Sequence, residues 1–129
     1  MVSTLVIGAS ENPERYAYQA IHMLRAYGHP TWALGRTPGL VSDVPILTDP
    51  ADIPAIDTVT LYLNPAAQAA WADWLVALNP RRVIFNPGTE HAELAQRLIR
   101  SGVDVVEACT LVMLRTGQYA PPVVQTDDL

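Results

Sequence analysis

Residues 3–15 read Ser3-Thr4-Leu5-Val6-Ile7-Gly8-Ala9-Ser10-Glu11-Asn12-Pro13-Glu14-Arg15, and this stretch decides the fold. Ser3 to Ala9 is a short apolar run without polar alternation, the pattern of a strand buried on both faces of a parallel sheet. The polar turn Ser10–Glu14 stops it. From about Arg15 to Tyr27 the apolar residues Ala17, Ala20, Ile21 and Leu24 recur at helical spacing, and Gly28 supplies a stop. A strand that turns into a helix points the helix's unpaired N–H groups, with their partial positive charge, at the turn. The turn is therefore a phosphate-binding candidate: Gly8 permits a tight bend, the Ser10 hydroxyl can donate to a phosphate oxygen, and Arg15 can add a bidentate contact. The competing reading is that Ser10 merely caps the helix.

Outward from this unit the strand–helix alternation continues without an internal repeat. Pro30–Gly35 reads as a second strand, followed by a turn-rich loop over Arg36–Pro45, a small apolar patch at Ile46 and Leu47, and a short helical turn within Asp49–Pro54. Asp57–Leu63 is a third strand. Asn64 is a good N-cap with Pro65 at the first helical position, opening a helix to about Leu78. Arg82–Asn86 is a fourth strand, Thr89 caps a helix to about Ser101, and Val103–Glu107 is a fifth strand. A short helix over Thr110–Thr116 and a tail follow, so residues 1–117 are expected to form one domain and 118–129 a C-terminal tail. The expected fold is α/β, a Rossmann-like three-layer sandwich with a five-stranded parallel sheet in the order 3-2-1-4-5. In such sheets ligands bind beyond the carboxyl ends of the strands, at the switch point beside the first. Two Asn-Pro turns, Asn64-Pro65 and Asn86-Pro87, fall at that edge and look like a ligand rim, with Gly88 allowing close approach to the backbone.

Composition narrows the chemistry. The chain has 129 residues, half of them hydrophobic, and a net charge of −5, which argues against nucleic acid as a partner. All eight cationic side chains are Arg, so any anionic ligand must be held by Arg, hydroxyls or backbone N–H groups, and lysine-based catalysis is excluded. No apolar run approaches the ~20 residues of a membrane span and no leader pattern opens the chain, so a cytoplasmic location is expected. The lone Cys109 fits a reducing compartment and reads more readily as a small buried hydrophobe than as a nucleophile. His22, His29 and His91 lack metal-ligand spacing, and no metal site is expected. Ser10 lacks the flanking glycine of a nucleophile elbow and a suitably ordered acid and His, which disfavours a serine hydrolase. The dinucleotide glycine fingerprint is broken by Ser10 and Pro13. The second strand ends Leu34-Gly35-Arg36 where an NAD site wants an acid; Arg36 suits an extra ribose phosphate, as in NADP or the 3′-phosphate of coenzyme A.

Val6-Ile7-Gly8-Ala9-Ser10 with Asn12-Pro13-Glu14-Arg15-Tyr16, Thr37-Pro38-Gly39, Asn86-Pro87-Gly88-Thr89-Glu90 and Glu107-Ala108-Cys109 occur in order at strand ends. Over about Thr4 to Tyr119 this set resembles the CoA-binding domain family, the Rossmann-like module also found at the N-terminus of the succinyl-CoA synthetase alpha subunit. The resemblance implies that Ser10–Pro13 meet the phosphates, together with Gly8 and Ala9 and with Arg15 close by. It further implies that Arg36, Thr37, Pro38 and Gly39 flank the adenosine end, and that Leu63–Pro65 and Phe85–Pro87 line the rest of the cleft. Cys109 falls where many members place their cysteine. The synthetase has a basic residue after its Thr-Pro-Gly where this chain has Leu40, so Arg36 would substitute for it. Ligase activity does not transfer, because nothing matches the synthetase's other parts. The expectation is a small stand-alone protein binding coenzyme A or acyl-CoA, without evident catalytic residues. The alternatives are a component of an acyl-CoA-related enzyme with Cys109 as its reactive group, and a regulator sensing NADP or NAD(H).

Overall fold

The computed structural model describes residues 1–121. In chain order the elements are β1 (Thr4–Ile7), α1 (Tyr16–Ala26), β2 (Thr31–Leu34), β3 (Gly39–Val41), β4 (Val44–Leu47), β5 (Thr58–Leu61), α2 (Pro65–Gln68), α3 (Ala72–Leu78), β6 (Arg82–Phe85), α4 (Ala92–Arg100), β7 (Asp104–Glu107) and α5 (Thr110–Arg115), with 3₁₀ turns at Pro50–Asp52 and Ala69–Trp71. The strands make one seven-stranded sheet in the order β3-β4-β2-β1-β5-β6-β7, parallel throughout except for the β3–β4 pair. Among the described residues no helix is long and apolar enough to cross a membrane.

The Rossmann-like α/β class is as expected; the strand count and the order 3-2-1-4-5 are corrected. The loop expected over Arg36–Pro45, with the patch Ile46–Leu47, folds instead into an antiparallel hairpin that turns at Ser42, at φ 55°, and Asp43. The hairpin forms because Val41 and Val44 bury their side chains at its neck and β4 takes the outer edge of β2, pairing Ala33 with Ile46 and Leu34 with Leu47. With that edge occupied, the strand expected beyond β2 cannot lie there. It is β5, and it pairs with the other side of β1, with Ile7 opposite Leu61.

β1 shows why the sheet is covered on both faces. Val6 joins Ala17, Ile21 and Leu24 of α1 and Leu114 of α5 on one side, while Leu5 and Ile7 join Leu75 of α3 and Leu98 of α4 on the other. Each such fully buried Leu or Ile side chain contributes about 1.5–3 kcal/mol. The expected single helix after the third strand is broken: Asn64 Oδ1 accepts from Ala67 N–H at its start, but Gln68 turns inward, donating to Leu63 O (2.8 Å) and Thr89 O (2.6 Å). The helix expected to be capped by Thr89 starts later. His91 Nδ1 accepts from Leu94 N–H, whereas the buried Thr89 hydroxyl folds back to donate to Asn86 O.

Within Gln118–Leu129, the segment expected as a tail, Tyr119 is buried. Its hydroxyl bonds with that of Thr4, and Arg82 lies 4.6 Å over its ring while donating from Nη1 to its carbonyl oxygen. Residues 122–129 lie outside the described residues.

Candidate functional site

Because β1 leads through α1 to β2 on one side while β5 lies on the other, the switch point falls between β1 and β5. A cleft of about 940 Å³ opens there, at the carboxyl ends of β1, β2, β5 and β6. Gly8, at φ 92°, forms its floor: a Cβ there would stand 3.0 Å from the backbone of Tyr62 and 3.2 Å from Leu63 Cδ2. The loops after β1 and β5 therefore touch, and only glycine fits between them. Gly8 N–H and Ala9 N–H both donate to Leu34 O, tying the same loop to the end of β2.

The rest of the loop is a chain of turns. Asn12 N–H donates to Ser10 Oγ, Glu14 N–H to Asn12 Oδ1 and Arg15 N–H to Asn12 O, each at 3.0 Å. Ser10 thus braces the loop and does not cap α1. The N-cap residue is Arg15, which makes no side-chain capping bond, and the first turn carries no acid. The N–H groups at the start of an eleven-residue helix, with the dipole's positive end, consequently face the cleft without a side-chain partner, an arrangement suited to an anion.

Arg15 and Arg36 both line the cleft. Three other arginines are engaged by carboxylates, Arg25 by Asp43, Arg81 by Asp57 and Arg97 by Asp73. No ion pair or side-chain hydrogen bond engages Arg15 or Arg36 among the described residues. Two guanidinium groups on the loops after neighbouring strands, beside an open helix start, can hold a ligand with anionic groups at separate points. Across the cleft Ala66, Ala67, Ala70 and Trp71 offer an apolar wall.

Of the sequence-derived candidates, Gly8, Ala9, Ser10, Arg15, Arg36, Thr37, Asn64, Pro87 and Gly88 come together in the lining. Asn12, Pro13 and Pro38 lie in the same loops, Gly39 opens β3 and Pro65 opens α2, and none of the five lines the cleft. Asn86 is turned into the protein: its Nδ2 donates to Thr60 Oγ1 (2.7 Å) and Leu61 O (2.8 Å), and its Oδ1 accepts from Thr110 N–H (2.9 Å). Cys109 is half-buried at the start of α5 and does not line the cleft.

Sequence reasoning missed Tyr62, Trp71 and the three alanines, because the expected strand order put β5 away from β1. For Trp71 and the alanines the signal was the apolar run after Asn64. The Tyr62 hydroxyl is buried without a partner among the described residues, and burial pushes its pKa up to about 12, so it is not a base near neutral pH. Among the described residues no group of three or more His, Cys, Asp or Glu is placed to hold a metal ion.

The sequence model of the family described as CoA binding domain matches residues 2–115. A crystal structure of a protein described only as uncharacterized is 43% identical, with 92% of this chain and 98% of that chain covered and a TM-score of 0.88. A hypothetical protein from Pyrococcus horikoshii OT3 is 21% identical, with 88% and 82% covered and a TM-score of 0.81. The dinucleotide-forming acetyl-coenzyme A synthetase 1 of Ca. Korarchaeum cryptofilum is 16% identical, with 82% of this chain and 26% of that chain covered and a TM-score of 0.68. The last two likenesses show the fold alone. No curated protein sequence matches the chain.

Proposed function

The chain belongs to the CoA binding domain family, and on that premise we propose that its cleft binds coenzyme A or an acyl-CoA, in a stand-alone cytoplasmic protein. In this reading the pyrophosphate lies at the start of α1 beside Ser10 and Arg15, and Arg36 meets the 3′-phosphate. The pantetheine arm runs past Asn64 and along the wall of Ala66, Ala67, Ala70 and Trp71 toward Pro87 and Gly88. The observation that carries it is the pair of guanidinium groups, Arg15 and Arg36, without partners among the described residues, flanking one open cleft at the switch point of a chain whose net charge is −5. Their shared place on the cleft, beside the start of α1, is what suits them to an anionic ligand.

A binding role is favoured over a reaction by the groups in the lining. The lining contains no His, Cys, Asp or Glu, the side chains that most readily supply a nucleophile or an acid–base pair. The test is a thermal-shift series with CoA, acetyl-CoA, NAD, NADP and ATP. A ligand at a hundred times its Kd stabilises by about 2.7 kcal/mol. CoA and acetyl-CoA should shift the transition upward and NAD should not. A shift with NADP but not CoA would reassign Arg36 to a 2′-phosphate.

A further inference from the structure

Two glycines bracket the loop that carries Arg36, and both are pressed against the loop after β1. A Cβ on Gly35 would stand 2.6 Å from the carbonyl oxygen of Ala9; one on Gly39 would stand 2.5 Å from Glu11 Cδ and 2.6 Å from its Cγ. Neither glycine has its φ in the left-handed region, so both positions demand space and not backbone freedom. Glu11 crosses over Gly39, and its Oε2 accepts from the Leu40 N–H at 3.0 Å, engaging a donor on the sheet's edge strand. The span Gly35-Arg36-Thr37-Pro38-Gly39 thus packs at both ends against the loop after β1, by contact at Gly35 and by the Glu11 bond to Leu40 beside Gly39. Its middle residues Arg36 and Thr37 face the cleft, while Glu11 itself does not line it.

Glu11 is exposed, belongs to no helix or strand, caps no helix and makes no ion pair among the described residues. Its visible work is this one bond. We propose that Glu11 is a positioning residue: by latching β3 to the loop after β1, it holds the Arg36 guanidinium in place relative to the Arg15 end of the cleft. It thereby sets the preference for a nucleotide that carries phosphate at both points. The proposal rests on reading the cleft as the CoA site. Without the latch, residues 36–38 are still held at Gly35 and by the pairing of β3 with β4, but lose the bond that fixes them against the loop after β1. The added ordering cost on binding then falls only on ligands that use Arg36.

The test titrates CoA and 3′-dephospho-CoA against the intact protein and four variants: Glu11→Ala, Glu11→Gln, Gly39→Ala and the Glu11→Ala/Gly39→Ala double variant. Glu11→Ala should weaken CoA about tenfold, or about 1.4 kcal/mol, and 3′-dephospho-CoA by less than about twofold. Glu11→Gln keeps an acceptor oxygen and should stay close to wild type. Gly39→Ala forces the Glu11 stem aside and should behave like Glu11→Ala, yet add nothing on top of it, because in contact the two effects are not additive. Equal losses for both ligands in Glu11→Ala, or full additivity in the double variant, would overturn the latch while leaving the CoA reading intact. Failure of the wild type to bind either ligand would instead overturn the CoA reading and the ligand preference built on it. Hydrogen exchange then judges the mechanical latch separately. Leu40 amide protection in the unliganded protein should be lost in Glu11→Ala and kept in Glu11→Gln, and unchanged protection in both contradicts it.

Discussion

Asn86 directs its whole amide inward, joining β5, β6 and the start of α5 through Thr60, Leu61 and Thr110. Truncating it leaves the buried Thr110 N–H without its acceptor, so Asn86→Ala is expected to cost about 2–3 kcal/mol, read as a fall in the urea midpoint. His29 is a second buried polar side chain whose removal has a measurable consequence. Its Nδ1 accepts from Val2 N–H, and burial, then the charges of the N-terminus and Arg82, hold its pKa below the ordinary 6.5. Unfolded, the ring takes its proton near that ordinary value; folded, it resists until lower pH. Stability should therefore be fully present above about pH 6.5 and fall as the pH drops from there toward the folded pKa. Urea midpoints followed across that window should decline more steeply in wild type than in His29→Ala, and parallel curves would contradict the assignment. Tyr62 illustrates a limit on reading residues from sequence. Nothing in Asp57-Thr-Val-Thr-Leu-Tyr-Leu63 distinguishes a cleft-lining tyrosine from a core one until β5 is known to lie beside β1.

Elements differ in how plainly they announce themselves. β1, Gly8 and α1 were legible because an uninterrupted apolar run, a glycine and a helical stripe adjoin one another in a few residues. The hairpin of β3 and β4 was not: its strands span Gly39–Val41 and Val44–Leu47, too short for periodicity, and Pro45 within β4 argues against a strand unless its N–H side needs no partner. Missing it displaced β5 in the expected order, since sheet order depends on which edge is free and not on any pattern within a strand. Helix α4 shows the same competition on a smaller scale. Thr89 has the better capping chemistry, but its hydroxyl is committed to Asn86 O, and His91 takes the role. His91→Ala should destabilise the protein by about 0.5–1 kcal/mol, the usual worth of a cap, while His91→Asn should be neutral or stabilising. Thermal denaturation of both variants distinguishes this from a cap at Thr89, under which His91 substitutions would have no effect.

Across the whole molecule the two edges of the sheet have separate tasks. The carboxyl edge carries the cleft; the amino edge is closed by Tyr119, 2% exposed, packed on His29, Thr4 and Arg82. Arg82 is itself only 6% exposed, and its Nη2 has no partner among the described residues, so Tyr119 supplies much of what keeps this cation in place. Removing the chain after Gly117 should lower the melting temperature sharply, by several kcal/mol of stability, because it uncovers the core and strips Arg82 of its carbonyl acceptor. A chain ending after Pro121 keeps both contacts and should melt at a higher temperature than one ending after Gly117.

The proposed binding mode depends on the separation of Arg15 and Arg36 along one cleft. Calorimetric titration of CoA and 3′-dephospho-CoA against wild type, Arg15→Ala and Arg36→Ala tests it most directly. Each lost charge-assisted contact is expected to cost about 1.5–3 kcal/mol, roughly ten- to a hundredfold in affinity. Arg15→Ala should weaken both ligands alike, since both retain the pyrophosphate, whereas Arg36→Ala should weaken CoA and leave 3′-dephospho-CoA nearly unchanged. Equal losses for both ligands in Arg36→Ala would remove that residue from the 3′-phosphate, and no binding of either ligand to the wild type would contradict the CoA assignment itself.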